Sequence, residues 1–178
     1  MHNNTQLSEQ VSAGLITAPG IGEQSVAPFF YMTFECFDAD GNLKWREEGH
    51  NTVMTAGKTD IIDKYFKGSA YTAAWYLGLK GTGTEVAGDT LASHAGWAEV
   101  NPYTGNRPAI TFGTTSAGSN TATTVSYAIT GSATCAGAFV CNAASGTSGV
   151  LYSAKDFSAS RAVINGDTLN VTLTVSAT

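Results

Sequence analysis

The chain has 178 residues, of which 43% are hydrophobic and 13% are charged, and its formal net charge is −5. The charged fraction is about half that of an average globular protein, and the apolar content is too high for a disordered chain. An acidic chain without a cluster of lysines and arginines offers no footprint for a phosphate backbone, and no apolar run approaches the ~18 residues that span a bilayer. Composition therefore argues against a nucleic-acid-binding protein and against a membrane protein.

The first 27 residues are polar and rich in Ser, Thr, Gln, Gly and Pro, without a sustained apolar period. Two interpretations are open: a frayed terminus, or an extended N-terminal arm (residues 1–27) that orders on a neighbouring subunit. In the second, Leu15, Ile16 and Ile21 are the candidate inter-subunit contacts. Residues 1–10 lack the basic start and apolar core of a signal peptide, so we expect no secretory signal.

Residues 28–178 are predicted to form a single domain that is mainly β, an antiparallel β-sandwich of jelly-roll-like form. Apolar and polar residues alternate in residues 30–37 and most clearly in residues 169–176, as in half-buried strands. Asp40 and Gly41 mark the tip of a hairpin. Turns rich in Gly, Ser, Thr and Asn separate further short apolar runs at intervals typical of a sandwich.

One short α-helix is predicted near residues 60–67. Thr59 is placed to cap its start, and Gly68 is placed to end it. The apolar side chains whose spacing gives them one shared helical face are Ile61, Ile62, Tyr65 and Phe66. Because such a face is usually buried, we expect this helix to pack on the core.

Groups able to carry catalysis are sparse. His50 and His94 have no partner at metal-ligand spacing and are expected to hydrogen-bond backbone, and no G-x-S-x-G elbow occurs. The acidic residues in polar stretches, predicted to be solvated, are Glu47, Glu48, Asp89 and Glu99. We therefore predict a protein that is not an enzyme and uses no cofactor or metal. A small hydrolase using His50 or His94 is the catalytic alternative.

Aromatic residues raise the separate possibility of sugar binding. The side chains that could serve as apolar platforms for a glycan are Trp45, Trp75, Tyr76, Trp97 and Tyr103. Most of them occupy core-facing positions of the predicted strands, which favours packed aromatics instead.

The three cysteines, Cys36, Cys135 and Cys141, are too few and odd in number for a disulfide framework. We expect all three to be reduced and buried as small apolar fillers. This prediction fits a chain that folds in the reducing cytoplasm.

Five segments resemble a family of small virion proteins from tailed bacteriophages. They are residues 49–53, 75–79, 87–97, 106–109 and 161–172, and the resemblance extends over roughly residues 30–178. It implies a capsid decoration (cement) protein that stabilises the head by bridging major capsid subunits. The alternative is a tail- or fibre-associated virion protein that binds host glycans.

The resemblance also implies the partners and the place of the protein. We expect it to bind the major capsid protein and copies of itself as a homo-oligomer, on the outer capsid surface, after assembly in the host cytoplasm. Within the resembling segments, Asp89 and Asp167 are expected to cap tight turns. Arg107 and Arg161 are expected to hold loops through forked hydrogen bonds.

Overall fold

The computed structural model describes residues 29–177. This range is mainly β, with two antiparallel five-stranded sheets and one short helical segment. The predicted mainly β, antiparallel β-sandwich is therefore confirmed. None of the helices in the described range is long and apolar enough to cross a bilayer. The predicted contact residues Leu15, Ile16 and Ile21 lie outside the described residues.

Ten strands, one α-helix and one π-helical turn make up the described part of the chain. In order they are β1 (Phe29–Phe37), β2 (Leu43–His50), β3 (Thr52–Val53), α1 (Thr55–Ile61), the π-helical turn (Ile62–Phe66), β4 (Tyr76–Lys80), β5 (Glu99–Val100), β6 (Ser119–Thr121), β7 (Val125–Ala128), β8 (Ala133–Cys141), β9 (Leu151–Val163) and β10 (Thr168–Ser176).

The first sheet has the strand order β2-β1-β10-β6, and β7 also pairs with β10. The predicted alternation of β10 is visible in its burial, since Leu169, Val171 and Leu173 are fully buried. β1 lies antiparallel beside it, with Phe34 opposite Val171. On the other face, Thr121 and Thr174 pair through hydroxyls 2.9 Å apart. This sheet is therefore apolar on its inner face and polar on its outer face.

The second sheet has the order β3-β9-β8-β4-β5 and is covered on both faces. Leu77 and Leu79 of β4 point into the main core, which the two sheets share. Phe139 of β8 belongs to a second buried cluster on the opposite face, together with Leu91 and Trp97 from the loop after β4. The loop therefore shields the part of the outer face around Phe139 from solvent.

The hairpin between β1 and β2 forms at the predicted position. Asp38 Oδ1 accepts hydrogen bonds from the backbone N–H of Asp40 (3.0 Å) and of Asn42 (2.8 Å). Gly41 takes the left-handed conformation with φ = +85°. A glycine at this turn is required because other residues adopt that conformation only with strain.

The helix differs from its prediction in where it begins. α1 starts at Thr55 instead of near residue 60, and the Thr59 hydroxyl donates to the Thr55 carbonyl (3.0 Å) instead of capping a helix. At Gly57 the helix backbone packs directly against β9, since a Cβ on Gly57 would lie 2.6 Å from the Tyr152 carbonyl oxygen. Fully buried Met54 anchors the start of the helix. The helix ends before Gly68, as predicted, and Gly68 is left-handed (φ = +69°).

Candidate interaction surface

Four exposed large apolar side chains lie within one short stretch of the chain, on the π-helical turn and the loop after it. Ile62 is 53% exposed, Tyr65 81%, Phe66 75% and Tyr71 61%. We call these four residues the aromatic patch. They are half of the eight large apolar side chains that are exposed between residues 29 and 177.

The predicted core-facing orientation of this helix is wrong for most of its apolar face. Ile61 packs against the core, whereas Ile62, Tyr65 and Phe66 do not. The reason is a tertiary contact: Gly57 brings the start of the helix close to β9, and the chain then widens into a π-helical turn at Ile62. The apolar spacing found in the sequence is real, but its residues face solvent.

The patch is held in shape by contacts within its own segment. The Tyr65 and Phe66 rings meet edge to face with centroids 5.1 Å apart. Lys64 Nζ donates to the Ala70 carbonyl (3.1 Å), which folds the loop back toward the helical turn. Tyr71 lies in that loop, where no periodic pattern marks it in the sequence. It is the patch residue that sequence reasoning missed.

A polar-lined cavity of about 320 Å³ adjoins the patch. Asp60, Lys64 and Tyr71 contribute to its wall from the helical segment and the loop, and Asn142 contributes from the end of β8. The Tyr152 hydroxyl donates to Asp60 Oδ2 (3.1 Å), which fixes one side of the wall. Burial and the adjacent Asp60 carboxylate raise the pKa of Tyr152, so its hydroxyl keeps its proton and remains a donor.

Both aspartates predicted to cap turns do so. Asp89 Oδ2 accepts a hydrogen bond from the Val86 N–H (3.0 Å), and Asp167 Oδ2 accepts one from the Ile164 N–H (2.9 Å). Asp89 also accepts from the Trp97 indole N–H at 2.8 Å. The predicted capping of turns by Asp89 and Asp167 is therefore confirmed.

Both arginines predicted to make forked hydrogen bonds also do so. Arg107 binds the Glu99 carboxylate through Nε and Nη2, each at 2.7 Å. Arg161 binds Glu47 through Nε (2.9 Å) and Nη2. Pairing with arginine explains why Glu47, expected to be solvated, is only 8% exposed. That expectation is wrong for Glu47, and for Asp89, which is 7% exposed.

The histidines and the predicted aromatic platforms have packing roles. His94 Nδ1 lies 3.0 Å from the Trp97 carbonyl, as predicted, and its ring stacks on the Trp97 indole at 4.0 Å. His50 ends β2, with its ring against Tyr31. Trp97 and Tyr103 are buried, and the remaining candidates Trp45, Trp75 and Tyr76 pack against the two cores. No group of three or more His, Cys, Asp and Glu side chains within residues 29–177 could hold a metal ion.

All three cysteines are buried and free, as predicted. Burial and then the nearby Asp167 carboxylate raise the pKa of Cys36 to about 11. Burial raises the pKa of Cys135 to about 12. These thiols are small apolar members of the core.

Comparisons of the chain with protein-family models, with curated proteins and with solved structures gave no match.

Proposed function

We propose that the protein is a structural protein of a bacteriophage virion, namely a capsid decoration protein on the outer surface of the head. The observation that carries the proposal is the aromatic patch. Four large apolar side chains stand exposed on a sandwich whose other aromatic residues are mostly packed. Exposed apolar clusters of this kind are typical of surfaces that bind another protein. The sequence resemblance to small phage virion proteins supplies the class of partner.

The chemistry of the patch suits attachment to a shell of identical subunits. Burying a large apolar side chain is worth about 1.5–3 kcal/mol, so the patch gives each copy a contact of moderate strength. Copies that also bind one another convert moderate contacts into tight attachment, because each later contact is intramolecular. The N-terminal arm, with Leu15, Ile16 and Ile21, is the proposed contact between copies.

The test is the number and position of copies in purified particles. Particles carrying the chain are separated by sedimentation, and the ratio of this chain to the major capsid protein is measured by densitometry. Labelled antibody then locates the chain by electron microscopy. Hundreds of copies spread over the head support the proposal. A handful confined to the tail, or absence from the particle fraction, overturns it.

A second candidate is a tail- or fibre-associated virion protein that binds host glycans. The cavity beside the patch favours it, because Asp60, Lys64 and Asn142 offer polar groups next to the exposed Tyr71 ring. Aromatic rings flanked by polar groups suit the apolar faces and hydroxyls of a sugar. Binding to a glycan array that is lost in Tyr71→Ala supports this candidate, and an array without signal argues against it.

A further inference from the structure

A lysine is fully buried on the outer face of the second sheet. Lys80, the last residue of β4, is 0% exposed and lies beneath the loop that follows it. Its Nζ contacts the Gly83 carbonyl and lies 5.6 Å from the centre of the Trp97 ring. Lysines are almost never fully buried unless they are paired, because removing the ammonium from water is costly.

The partner of this lysine stands two strands away. Lys80 is opposite Gly137 of β8, and Gly137 is opposite Asp156 of β9, so the three residues form one row across the sheet. Two strand spacings separate the ends of that row by about 10 Å. The Lys80 and Asp156 side chains bridge this distance together, and Lys80 Nζ touches Asp156 Oδ1.

Gly137 leaves the path between Lys80 and Asp156 open. A Cβ at this position would lie 2.1 Å from the Lys155 carbonyl oxygen, so no side chain fits on Gly137. The amine and the carboxyl group therefore meet above a strand that contributes only backbone. A larger residue between them would separate the two groups.

A second acid completes the cluster. The Glu85 side chain is 9% exposed, and its Oε2 lies 3.9 Å from Lys80 Nζ. Glu85 Oε2 is buried without a hydrogen-bond partner, and the buried Asp156 Oδ1 lies against Lys80 Nζ. Burial, and then a hydrogen bond with Asp156, raise the pKa of Glu85. A raised pKa favours the protonated form of Glu85, and in that form Glu85 can donate a hydrogen bond to Asp156.

A second lysine–aspartate pair, Lys44 with Asp167, shows how the surroundings of Lys80 differ from those of another paired lysine. Lys44 Nζ lies 2.5 Å from Asp167 Oδ2, and the lysine is the partly exposed member of that pair, at 26% against 1% for the acid. In the Lys80–Asp156 pair the lysine is fully buried and the acid is 31% exposed. Asp167 Oδ2 is also held by the Ile164 N–H. In the described part of the chain Lys44 Nζ has one carboxyl group within 4 Å, whereas Lys80 Nζ has two.

We propose that Lys80 and Asp156 become joined by an isopeptide bond. In the proposed step a proton passes from the fully buried Lys80 ammonium to the Asp156 carboxylate, whose side chain is 31% exposed, because a neutral amine avoids the cost of a buried charge. The Nζ lone pair then attacks Cγ of Asp156 and forms the C–N bond. The Cγ–OH bond breaks, and the product is one amide and one water.

Glu85 moves the protons in this step. Its carboxylic acid protonates the departing hydroxyl of Asp156, and the resulting carboxylate takes the surplus proton from Nζ. Glu85 is thereby restored, and the reaction needs no oxidant, metal or cofactor. The cross-link would tie β4 to β9 across β8, independently of what the protein binds.

Mass spectrometry of the purified full chain tests the proposal. The intact protein is measured in denaturant, and its N-terminus is established from the same sample by peptide mapping. We expect a mass lower than that of the sequence by one water, and a branched peptide that links Lys80 to Asp156. Locating the link is essential, because cyclisation at Asp40-Gly41 would also remove one water.

Four variants give the proposal its controls. Lys80→Arg and Glu85→Gln should keep the full mass of their own sequences, and Glu85→Gln preserves the size of the side chain. Asp156→Asn should lose one ammonia instead of one water, since the leaving group changes. The matched control Lys44→Arg alters the Lys44–Asp167 pair and should still lose one water. The proposal is overturned if the parent chain has the full mass of its sequence, or if its link lies at another residue. It is also overturned if Glu85→Gln loses water to the same extent as the parent chain.

Discussion

The Arg107 guanidinium and the Glu99 carboxylate face each other as two forks, with Nε–Oε1 and Nη2–Oε2 distances of 2.7 Å each. The same guanidinium donates to the carbonyls of Ala143 (2.8 Å) and Gly146 (2.9 Å). Its side chain is only 4% exposed. Arg107 therefore fastens β5 and the loop after β8 to one buried point.

We expect Arg107→Lys to destabilise the protein strongly. Arg107 makes four hydrogen bonds from three nitrogens, and the three donors on the single nitrogen of a lysine cannot replace them all, so buried acceptors would be left unpaired. Removing one member of a buried ion pair typically costs about 3–5 kcal/mol, and retention of a charge in lysine brings the expected loss to about 2–3 kcal/mol. Urea denaturation measures the loss as a lower midpoint at unchanged slope.

The control for this prediction is Arg46→Lys. Arg46 is 48% exposed and pairs with Glu48 and Glu35 at the surface. Exposed pairs contribute about 0–1 kcal/mol, so the midpoint should scarcely move. Equal losses in both variants would contradict the buried fork as the source of the stability.

Glu47 gives the protein a predictable sensitivity to acid. Burial by itself raises the pKa of Glu47, but hydrogen bonds from Arg161 and Ser158 outweigh burial, and the pKa lies below its ordinary value of 4.5. A carboxyl group whose pKa is lower in the folded state stabilises the fold above its unfolded pKa. That contribution is lost as the pH falls through the folded pKa.

The measurement is the urea midpoint of the parent and of Glu47→Gln as a function of pH. We expect the parent to lose stability below about pH 4.5. Glu47→Gln should be less stable at neutral pH, and the difference between the two proteins should shrink in acid. A difference that is constant from neutral pH to acid would show that the Glu47 charge is not responsible.

The sequence predicts the sheet elements well because burial on one face forces alternation. The buried residues of β10, Leu169, Val171 and Leu173, are the apolar members of its pattern. Turn chemistry is equally local: Asp38 with Gly41, and Asp89, act within four residues of their own positions. These features need no knowledge of distant parts of the chain.

Features that depend on tertiary contact are predicted poorly. The spacing of Ile62, Tyr65 and Phe66 shows that they share a face, but Gly57 and its contact with Tyr152 decide that this face points to solvent. Lys80 looks in the sequence like a polar strand end. Its burial depends on a loop and on a strand 76 positions later, so the cluster with Glu85 and Asp156 escapes sequence reasoning.

Gly137 is expected to be indispensable. Gly137→Ala would place a Cβ 2.1 Å from the Lys155 carbonyl oxygen in the middle of the second sheet. Backbone must shift to relieve this contact, and we expect a loss of about 3 kcal/mol or more in unfolding free energy. Gly131→Ala is the matched control, because a Cβ there meets nothing within 4 Å. It should leave stability unchanged or raise it by up to about 1 kcal/mol. Comparable losses in both variants would contradict the close approach at Gly137.

The cysteines are expected to resist alkylation in the folded protein. Cys36, Cys135 and Cys141 are 0% exposed, and burial raises the pKa of each. Because the thiolate is the reactive form, iodoacetamide at mildly alkaline pH should label none of them in the native state. All three should be labelled in guanidinium, as counted by mass spectrometry. Rapid labelling of any one without denaturant would show that its part of the core opens readily.

The aromatic patch can be tested separately from the fold. Tyr65→Ser/Phe66→Ser removes two side chains that are 81% and 75% exposed. Exposed substitutions usually change stability by less than about 0.5 kcal/mol, so the unfolding midpoint should remain close to that of the parent. If the patch binds the shell, the affinity of the purified chain for particles that lack it should fall by about tenfold or more.

A second double variant controls for loss of apolar surface in general. Leu43→Ser/Val86→Ser removes two apolar side chains that are 53% and 59% exposed and lie outside the patch. It should bind particles like the parent, because these residues belong neither to the helical turn nor to the loop with Tyr71. If both double variants bind equally well, the patch is not the attachment surface. If both double variants lose binding equally, attachment depends on the total exposed apolar area and not on a defined site.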